Sequence, residues 1–519
     1  MARINTNVAS MIAQANLGRT SNEMNLRLER LSTGLKINRG KDDPAGLIIS
    51  ERIRSDIQGV NQGISNAQRA SSVISTAEAS LTEINDLLNS IRGLIVQSSN
   101  SGATSDAERD ANQLQIDSAI DSITRISNTA SFGGLKLLDG SLDYTLSGVR
   151  SSAITNARIN GATFNGSSSV QVDIDVVASA QTGALYYSGG TTPPGVLLSA
   201  MTLEVKGPKG VQVFEFASGQ SLTQVMNAIN RSTALTGVQV AAINNDVNSG
   251  LVFQSTTFGS DSFVSVKRQN PPSESADSFV TYKFANNAPV PGAAPFDWAT
   301  YVGAGTLTRS GDDNGQDVQA LVNGNLIRGR GLELVTNIPS LAASITLGSD
   351  FATRPATATS TFHITGGGAL FQLGPNVTAL QQSNVGIPSV AASRLGGVIT
   401  SNGVEFLNSL KEGQYNSVRQ SFQRRDFSGA QEVLNAAIDQ ITSLRGRLGA
   451  FERNVLDTNV TSLQSQFENL TASVSQIRDA DFAMETSQLT RAQILSSAGT
   501  STLQLANQQS QSVLQLLGR

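Results

Sequence analysis

Residues 53–99 read IRSDIQGVNQGISNAQRASSVISTAEASLTEINDLLNSIRGLIVQSS, and this stretch decides the fold. Apolar side chains return at Ile53, Ile57, Val60, Ile64, Ala67, Ile74, Leu81, Ile84, Leu88, Ile91 and Ile95. A step of three or four held for about six heptads is the requirement of a bundle or coiled-coil seam. At about 1.5 Å per residue it predicts one helix roughly 70 Å long. Ile57, Ile64, Leu81, Leu88 and Ile95 are its expected core positions.

Outward from this rod the same spacing recurs on both sides. Asn and Gly between Ser98 and Thr104 interrupt it, and Ser105 with Glu108 three residues on forms a capping box for the next helix. That helix carries Ile116, Ile120, Ile123 and Ile126 on one face. Near the N-terminus, apolar steps run through Ile4, Val8, Met11 and Ala15, then Met24, Leu28, Leu31 and Leu35. Towards the C-terminus they run through Leu434, Ala437, Ile441, Leu444, Leu448, Phe451 and Val455, then Leu463, Phe467, Leu470, Val474 and Ile477. A last stripe holds Ala492, Leu495, Gly499, Thr502, Ala506, Val513 and Leu517. Order usually fades at chain ends, so stripes reaching both of them predict burial against a partner. Assembly, rather than catalysis, is the expectation.

The middle has another texture. From Tyr144 to about residue 402, Gly, Ser, Thr and Val dominate, with a period-two run at Val170–Val176 and turn signals at Asn165-Gly166, Pro194-Gly195 and Asn323-Gly324. Thr202–Val205 and Val211–Phe216 alternate like a hairpin, and Ser221 caps a short helix bearing Leu222, Val225, Met226 and Ile229. Leu251–Ser255 and Phe263–Val266 complete an expected β-β-α-β-β unit over residues 201–267. The fold class is α+β and multidomain, with long terminal helices pairing into bundle or coiled-coil domains around a central β-rich insertion.

Composition narrows function. Net charge is −4 with pI near 5.3, against nucleic-acid binding as the main role. The absence of cysteine excludes disulfides, thiolate metal sites and thiol nucleophiles. Asn5, Asn7, Gln14 and Asn16 interrupt the apolar runs of residues 1–20, so no cleaved signal peptide is readable, and no run of about 18 apolar residues predicts a membrane span. Taken alone, this reads as cytoplasmic.

No catalytic constellation stands out. The single histidine, His363, lies between Phe362 and Ile364 in a strand-like run, which excludes H-E-x-x-H and His-pair metal sites. Asp312, Asp313, Asn314, Gly315 and Asp317 lack the alternate ligands and distal Glu of a calcium loop, and read as a polar turn. Gly366–Gly368 lacks the Lys-Ser/Thr of a phosphate loop. Residues 1–40 hold six Lys/Arg and two Glu. A basic amphipathic helix can lie on a membrane, but these Arg residues are interleaved with Asn and Glu, which favours interhelical packing. Neither metal nor cofactor is expected.

Leu31-Ser-Thr-Gly-Leu-Lys-Ile-Asn38 followed by Lys41-Asp-Asp-Pro-Ala-Gly-Leu47 resembles the bacterial flagellin family. Further blocks agree: Ala77–Asn100, Phe132-Gly-Gly-Leu-Lys-Leu-Leu-Asp-Gly140, Leu444-Arg-Gly-Arg-Leu-Gly-Ala-Phe451 with Asn454, and Asp479-Ala-Asp481 leading to Gln493-Ile-Leu495 and Ala498–Asn507. The resemblance covers about residues 1–142 and 405–519, and residues 201–267 are similar to the insertion motif of many flagellin and hook proteins.

The resemblance implies a subunit that polymerises with copies of itself into the flagellar filament. Residues 1–42 and 476–519 would be inner-tube helices, residues 43–178 with a β hairpin and 405–475 the outer tube, and residues 179–404 the surface insert. Ile4, Val8, Met11, Leu28, Leu31, Leu35, Leu495, Ala506, Val513 and Leu517 would form the polymerisation seam. Ile441, Leu448 and Val455 would join the helical core. Implied partners are flagellar cap and junction proteins, an export chaperone, the type III export apparatus and other flagellins, with no nucleic acid or membrane. Type III export without a cleaved signal would put the protein outside the cell. The family's termini are typically disordered before assembly, as expected of stripes that cannot offset their ordering entropy alone.

The family's receptor motif falls on Leu88–Gln97, where Arg92, Leu94 and Gln97 match the form recognised by Toll-like receptor 5. Ser90 and Gly93 replace an expected Arg and Glu, and Gln113 stands where recognised forms carry Glu. Lost charged partners commonly cost about 1–3 kcal/mol at an interface, so weakened recognition is expected. Alternatives are a hook–filament junction protein, a metallopeptidase-bearing flagellin, which one histidine disfavours, and a secreted coiled-coil adhesin or effector. For the insert, a spacer, an O-glycan carrier on hydroxyl clusters such as Ser167–Ser169 and Thr357–Thr361, or a contact between filaments or with a sheath all stay open.

Overall fold

The computed structural model describes residues 6–100, 102–164, 167–188, 195–270, 279–284, 296–303, 305–338, 340–353, 359–400 and 403–517. Two turn signals of the sequence, Asn165-Gly166 and Pro194, lie outside them, as does part of the Thr357–Thr361 cluster. The chain forms two compact units: residues 1–75, 371–382 and 445–519, and residues 76–370 and 383–444.

The longer helices among the described residues are α1 Val8–Thr33, α2 Pro44–Ser98, α3 Asp106–Thr129, α4 Leu222–Asn230, α5 Val418–Arg424, α6 Ser428–Phe451, α7 Thr458–Arg478 and α8 Phe482–Leu517. The quoted stretch, up to Ser98, lies within one 55-residue helix, Pro44–Ser98. In the second unit its Leu81, Ile84, Leu88 and Ile91 are fully buried, together with Ile116, Ile120 and Ile123 of α3 and Ile441 of α6. Ile95 is buried as well, whereas Ile57 and Ile64, in the first unit, are only half-buried. The Ser105–Glu108 capping box forms as expected.

Gly59 and Gly63, beside ladder residues Val60 and Ile64, are glycine for a steric reason. A Cβ at Gly59 would lie 2.9 Å from Pro375 Cβ, and one at Gly63 3.0 Å from the Leu373 carbonyl oxygen and 3.1 Å from Leu463 Cδ1. Helical glycine costs about 1 kcal/mol relative to alanine, and here it admits the Leu373–Pro375 backbone onto α2.

Between α6 and α7 a π segment, Glu452–Asp457, replaces α-helix. Its cause is legible in spacing. Ile441, Leu448 and Val455 step by seven, but Leu463, Leu470 and Ile477 resume one residue late. The wide turn absorbs that residue, and Leu456 rather than Val455 enters the core: Leu456 is fully buried and Val455 half-buried. The Ser71 and Ser75 hydroxyls, one turn apart on α2, both donate to the Glu452 carboxylate where the π segment starts.

The insert builds two β cores within the second unit. In the first, a five-stranded sheet runs in the order Asn325–Arg328, Gln319–Val322, Val170–Ala178, Ser360–Gly367, Tyr144–Ser147, and a three-stranded sheet in the order Glu333–Ile338, Leu341–Leu347, Ile154–Ala162. Alternate residues Val172, Ile174, Phe362, Ile364, Ala343 and Ile345 meet in one core. Asn323 and Gly324, both at positive φ, close the two-residue hairpin that the sequence signals. In the second core, a four-stranded sheet ordered Asp312–Asn314, Phe263–Arg268, Met201–Lys206, Val211–Phe216 and a five-stranded sheet ordered Leu307–Arg309, Thr281–Phe284, Ala184–Tyr187, Leu251–Ser255, Val238–Ala242 pack with α4, itself held by a Ser221–Gln224 capping box.

Two expectations need correction. Residues 201–267 do not close on themselves as β-β-α-β-β. A further strand, Val238–Ala242, follows the helix, and both sheets recruit strands from outside that range. The strands Tyr144–Ser147, Ile154–Ala162 and Val170–Ala178, assigned from sequence to the helical outer-tube domain, belong to the insert sheets, and Val170–Ala178 is central in one of them, between Gln319–Val322 and Ser360–Gly367. The insert's two strands of chain meet at a narrow stem, where Ile387 N–H donates to the Leu142 carbonyl (2.9 Å) and Val390 N–H to the Leu138 carbonyl (3.1 Å).

Gln113 is a third correction. The receptor argument treats it as a surface position, but it is 4% exposed. Its amide donates to the Leu410 carbonyl (2.9 Å) and to Asp117 (2.7 Å), and its oxygen accepts from Val418 N–H (2.7 Å). It ties α3 to the start of α5, and a Glu there could not donate to the Leu410 carbonyl.

Three substitutions check this account in urea unfolding of the purified subunit. Gln113→Ala strands a buried backbone donor and acceptor and is expected to cost about 1–3 kcal/mol. Leu456→Ala is expected to cost about 2–5 kcal/mol and Val455→Ala under about 1 kcal/mol; the reverse ranking would refute the one-residue shift at the π segment.

Candidate assembly interface

Helices α1 and α8 form an antiparallel pair in the first unit. Asn7 caps α1, its side-chain oxygen accepting from Ser10 N–H (3.0 Å), and Gly34 ends it in the left-handed conformation. Polar contacts run along the pair. The Asn7 amide donates to the Ala506 carbonyl and the Ser10 hydroxyl to the Asn507 side chain, both at 2.9 Å. Arg27 Nη1 donates to both Glu485 oxygens (3.2 and 2.9 Å), and Arg30 Nη1 adds a third bond at 3.1 Å. Beyond α1, Lys36 N–H donates to the Arg478 carbonyl (2.7 Å) and Ala480 N–H to the Gly34 carbonyl (2.9 Å). Arg478 pairs with Glu51 at 2.6 Å, which holds the Glu51 carboxyl below its usual range.

Small residues fill the contact between the two helices. Ala13, Ala492 and Ala506 are buried, and Gly499 faces Leu17. The larger apolar residues point elsewhere. Val8, Met11, Ile12 and Leu28 of α1 and Phe482, Met484, Ile494, Leu495 and Leu505 of α8 are between 46% and 69% exposed. Covering such side chains stabilises by about 1 kcal/mol or more each, and so large an exposed apolar area marks an interaction surface.

The single seam read from sequence therefore divides in two. Val8, Met11, Leu28 and Leu495 face outward, Ala506 lies inside the pair, and Leu31 and Leu35 are half-buried. Ile4 lies outside the described residues, as do the side chains of Val513 and Leu517 within α8. Sequence reading missed Ile12, Ile494 and Leu505. The adjacent pairs Met11-Ile12 and Ile494-Leu495 were the available signal, since neighbours in a helix cannot share one narrow stripe. It also missed the Arg27–Glu485–Arg30 cluster.

The receptor-motif block lies on α2, with Ser90, Arg92, Gly93 and Gln97 exposed and Leu94 half-buried. Elsewhere the candidate acidic site is structural. Asp313 accepts from Ala184 N–H, and Asp317 from Gly331 and Ser260 N–H, so these carboxylates bind strands together. His363 is half-buried within a strand. Among the described residues no cluster of three His, Cys, Asp or Glu could hold a metal, and no helix is long and apolar enough to cross a membrane.

The profile of the bacterial flagellin N-terminal helical region matches residues 4–143, and that of the C-terminal helical region residues 432–517. A flagellin of Salmonella choleraesuis is 30% identical over 548 aligned residues, and the B-type flagellin of Pseudomonas aeruginosa 29% over 533, each alignment covering 99% of both chains. The solved structure of FliC from Burkholderia pseudomallei is 16% identical with a TM-score of 0.24, covering 74% of this chain and 99% of that one. The chain belongs to the bacterial flagellin family and is a structural subunit of the flagellar filament that serves motility.

Proposed function

We propose that the outward apolar face of the α1–α8 pair is the surface that copies of this chain cover for one another in the filament. The exposure of Val8, Met11, Ile12, Leu28, Ile494, Leu495 and Leu505 on an ordered helix pair carries this reading. Residues 1–42 and 476–519 then act as inner-tube helices, residues 43–178 and 405–475 supply the outer tube apart from the strands Tyr144–Ser147, Ile154–Ala162 and Val170–Ala178, and the β cores lie at the filament surface. An α1–α8 pair that buries mainly alanine and glycine gains little by itself, so cover from neighbouring copies would supply the burial that the pair lacks.

Other flagellins, the flagellar cap and the junction proteins are the partners this reading implies, and an export chaperone and the type III apparatus bring the subunit outside the cell. A structural rather than catalytic role is supported by carboxylates committed to backbone donors and a lone strand histidine. Relatives matching over 99% of both chains favour a filament subunit over a junction protein or an adhesin.

Deleting Leu503–Arg519 tests the assembly role. The β cores should keep their cooperative unfolding while seeded growth on filament fragments stops; filaments formed by the truncated subunit would overturn the reading. Recognition by Toll-like receptor 5 is expected to be weak, because exposed Ser90 and Gly93 lack the charges of recognised forms. A receptor-reporter assay should show a stronger response to Ser90→Arg/Gly93→Glu, for which space exists at Gly93, and a full-strength response to the unmodified protein would refute the expectation.

A further inference from the structure

Small residues make the α1–α8 contact easy to slide. A seam built on Ala13, Ala492, Ala506 and Gly499 is nearly repeated when one helix shifts by two turns, so apolar burial discriminates poorly between alignments. Specific alignment in such pairs comes from polar groups placed inside the seam, which tolerate one partner and reject others.

Such a group is present. The Glu485 side chain is 7% exposed, and those of Arg27 and Arg30 are 16% and 15% exposed. Three hydrogen bonds join the carboxylate to the two guanidinium groups. The Nε atoms of both arginines are buried without a partner among the described residues. A cluster left partly unsatisfied is poorly suited to maximising stability; its chemistry suits selection instead.

We propose that Arg27, Arg30 and Glu485 are the register-setting residues of the α1–α8 pair, allowing one alignment of the face on which self-assembly depends. The proposal rests on the role given to that face above. A slip of one heptad in one direction brings Thr20 and Glu23 opposite Glu485, setting carboxylate against carboxylate in a poorly hydrated seam. A slip in the other direction brings Gly34 and Ile37, beyond the end of α1. Both leave two buried arginines without their anion. The remaining ties do not discriminate in this way. The bonds of Lys36 N–H and Ala480 N–H are between backbone groups, the Asn7 amide donates to the backbone carbonyl of Ala506, which any residue there would offer, and the Ser10–Asn507 bond is exposed.

A chain without cysteine allows a direct test. Ser10→Cys with Asn507→Cys reports the native alignment, and Ser10→Cys with Thr500→Cys reports the one-heptad slip. Both pairs are oxidised in subunits and in seeded filaments. In an otherwise native background only the first should cross-link. With Glu485→Gln, the second should appear beside it, and seeded elongation should slow by about tenfold or more. Glu485→Lys alone and Arg27→Glu/Arg30→Glu alone should block elongation, and their combination, which reverses the charges, should recover it to within about threefold. The proposal fails if Glu485→Gln elongates normally with only the native cross-link, or if the reversed-charge combination is as inactive as its parents. Cross-links report alignment whether or not the terminal helices are needed for growth, so this proposal and the assembly reading fail separately.

Discussion

Close approach of α1 and α8 requires small side chains between them, and this requirement distributes everything else along both helices. Alanine and glycine in the contact leave no room there for Met11, Ile12, Ile494 or Leu495, so the large apolar groups are displaced to the far side. The pair is thus weakly held by its own burial and strongly in need of cover. That imbalance separates a helix pair built for a globular core from one built for a polymer. Side chains that a monomer would bury are kept outward, and polar groups keep the pair aligned meanwhile.

The long helices were legible because their pattern is local. A residue in α2 meets the requirements of its neighbours three and four positions away, and the ladder from Val60 to Ile95 lies buried much as the spacing predicts. Where the ladder slipped by one residue after Val455, the slip itself was visible in the numbers, and the π segment is its physical form. Ignoring that slip puts Val455 in the core in place of Leu456. The caps at Ser105 and Ser221 were equally readable, since a hydroxyl and a Glu or Gln three residues on satisfy each other without reference to the rest of the chain.

What sequence reading missed was decided at a distance. Nothing near Val170–Ala178 announces that it pairs with Gln319–Val322 and Ser360–Gly367, about 150 and 190 residues later by a route through a second β core. Nor could the 201–267 stretch reveal that it borrows Ala184–Tyr187 and Thr281–Phe284. Gln113 was read as a receptor contact from the family resemblance, whereas its hydrogen bonds to Leu410 and Val418 depend on that segment folding back onto α3. The Arg27–Glu485–Arg30 cluster escaped for the same reason: each residue is an ordinary charge on its own helix, and only their meeting makes them unusual.

The narrow stem at Leu138–Val390 and Leu142–Ile387 has a consequence for how such chains diversify. Its two strands are already joined by hydrogen bonds, so the helices experience the insert as a closed loop whose ends are fixed in place. Lengthening such a loop raises its closure cost only logarithmically. Domains, hairpins or foreign segments between residues 143 and 386 can therefore be exchanged with little effect on the helices beneath, provided that each replacement returns the chain to the same doorway. Shape and chemistry between residues 143 and 386 are free to drift while the helical segments stay constant.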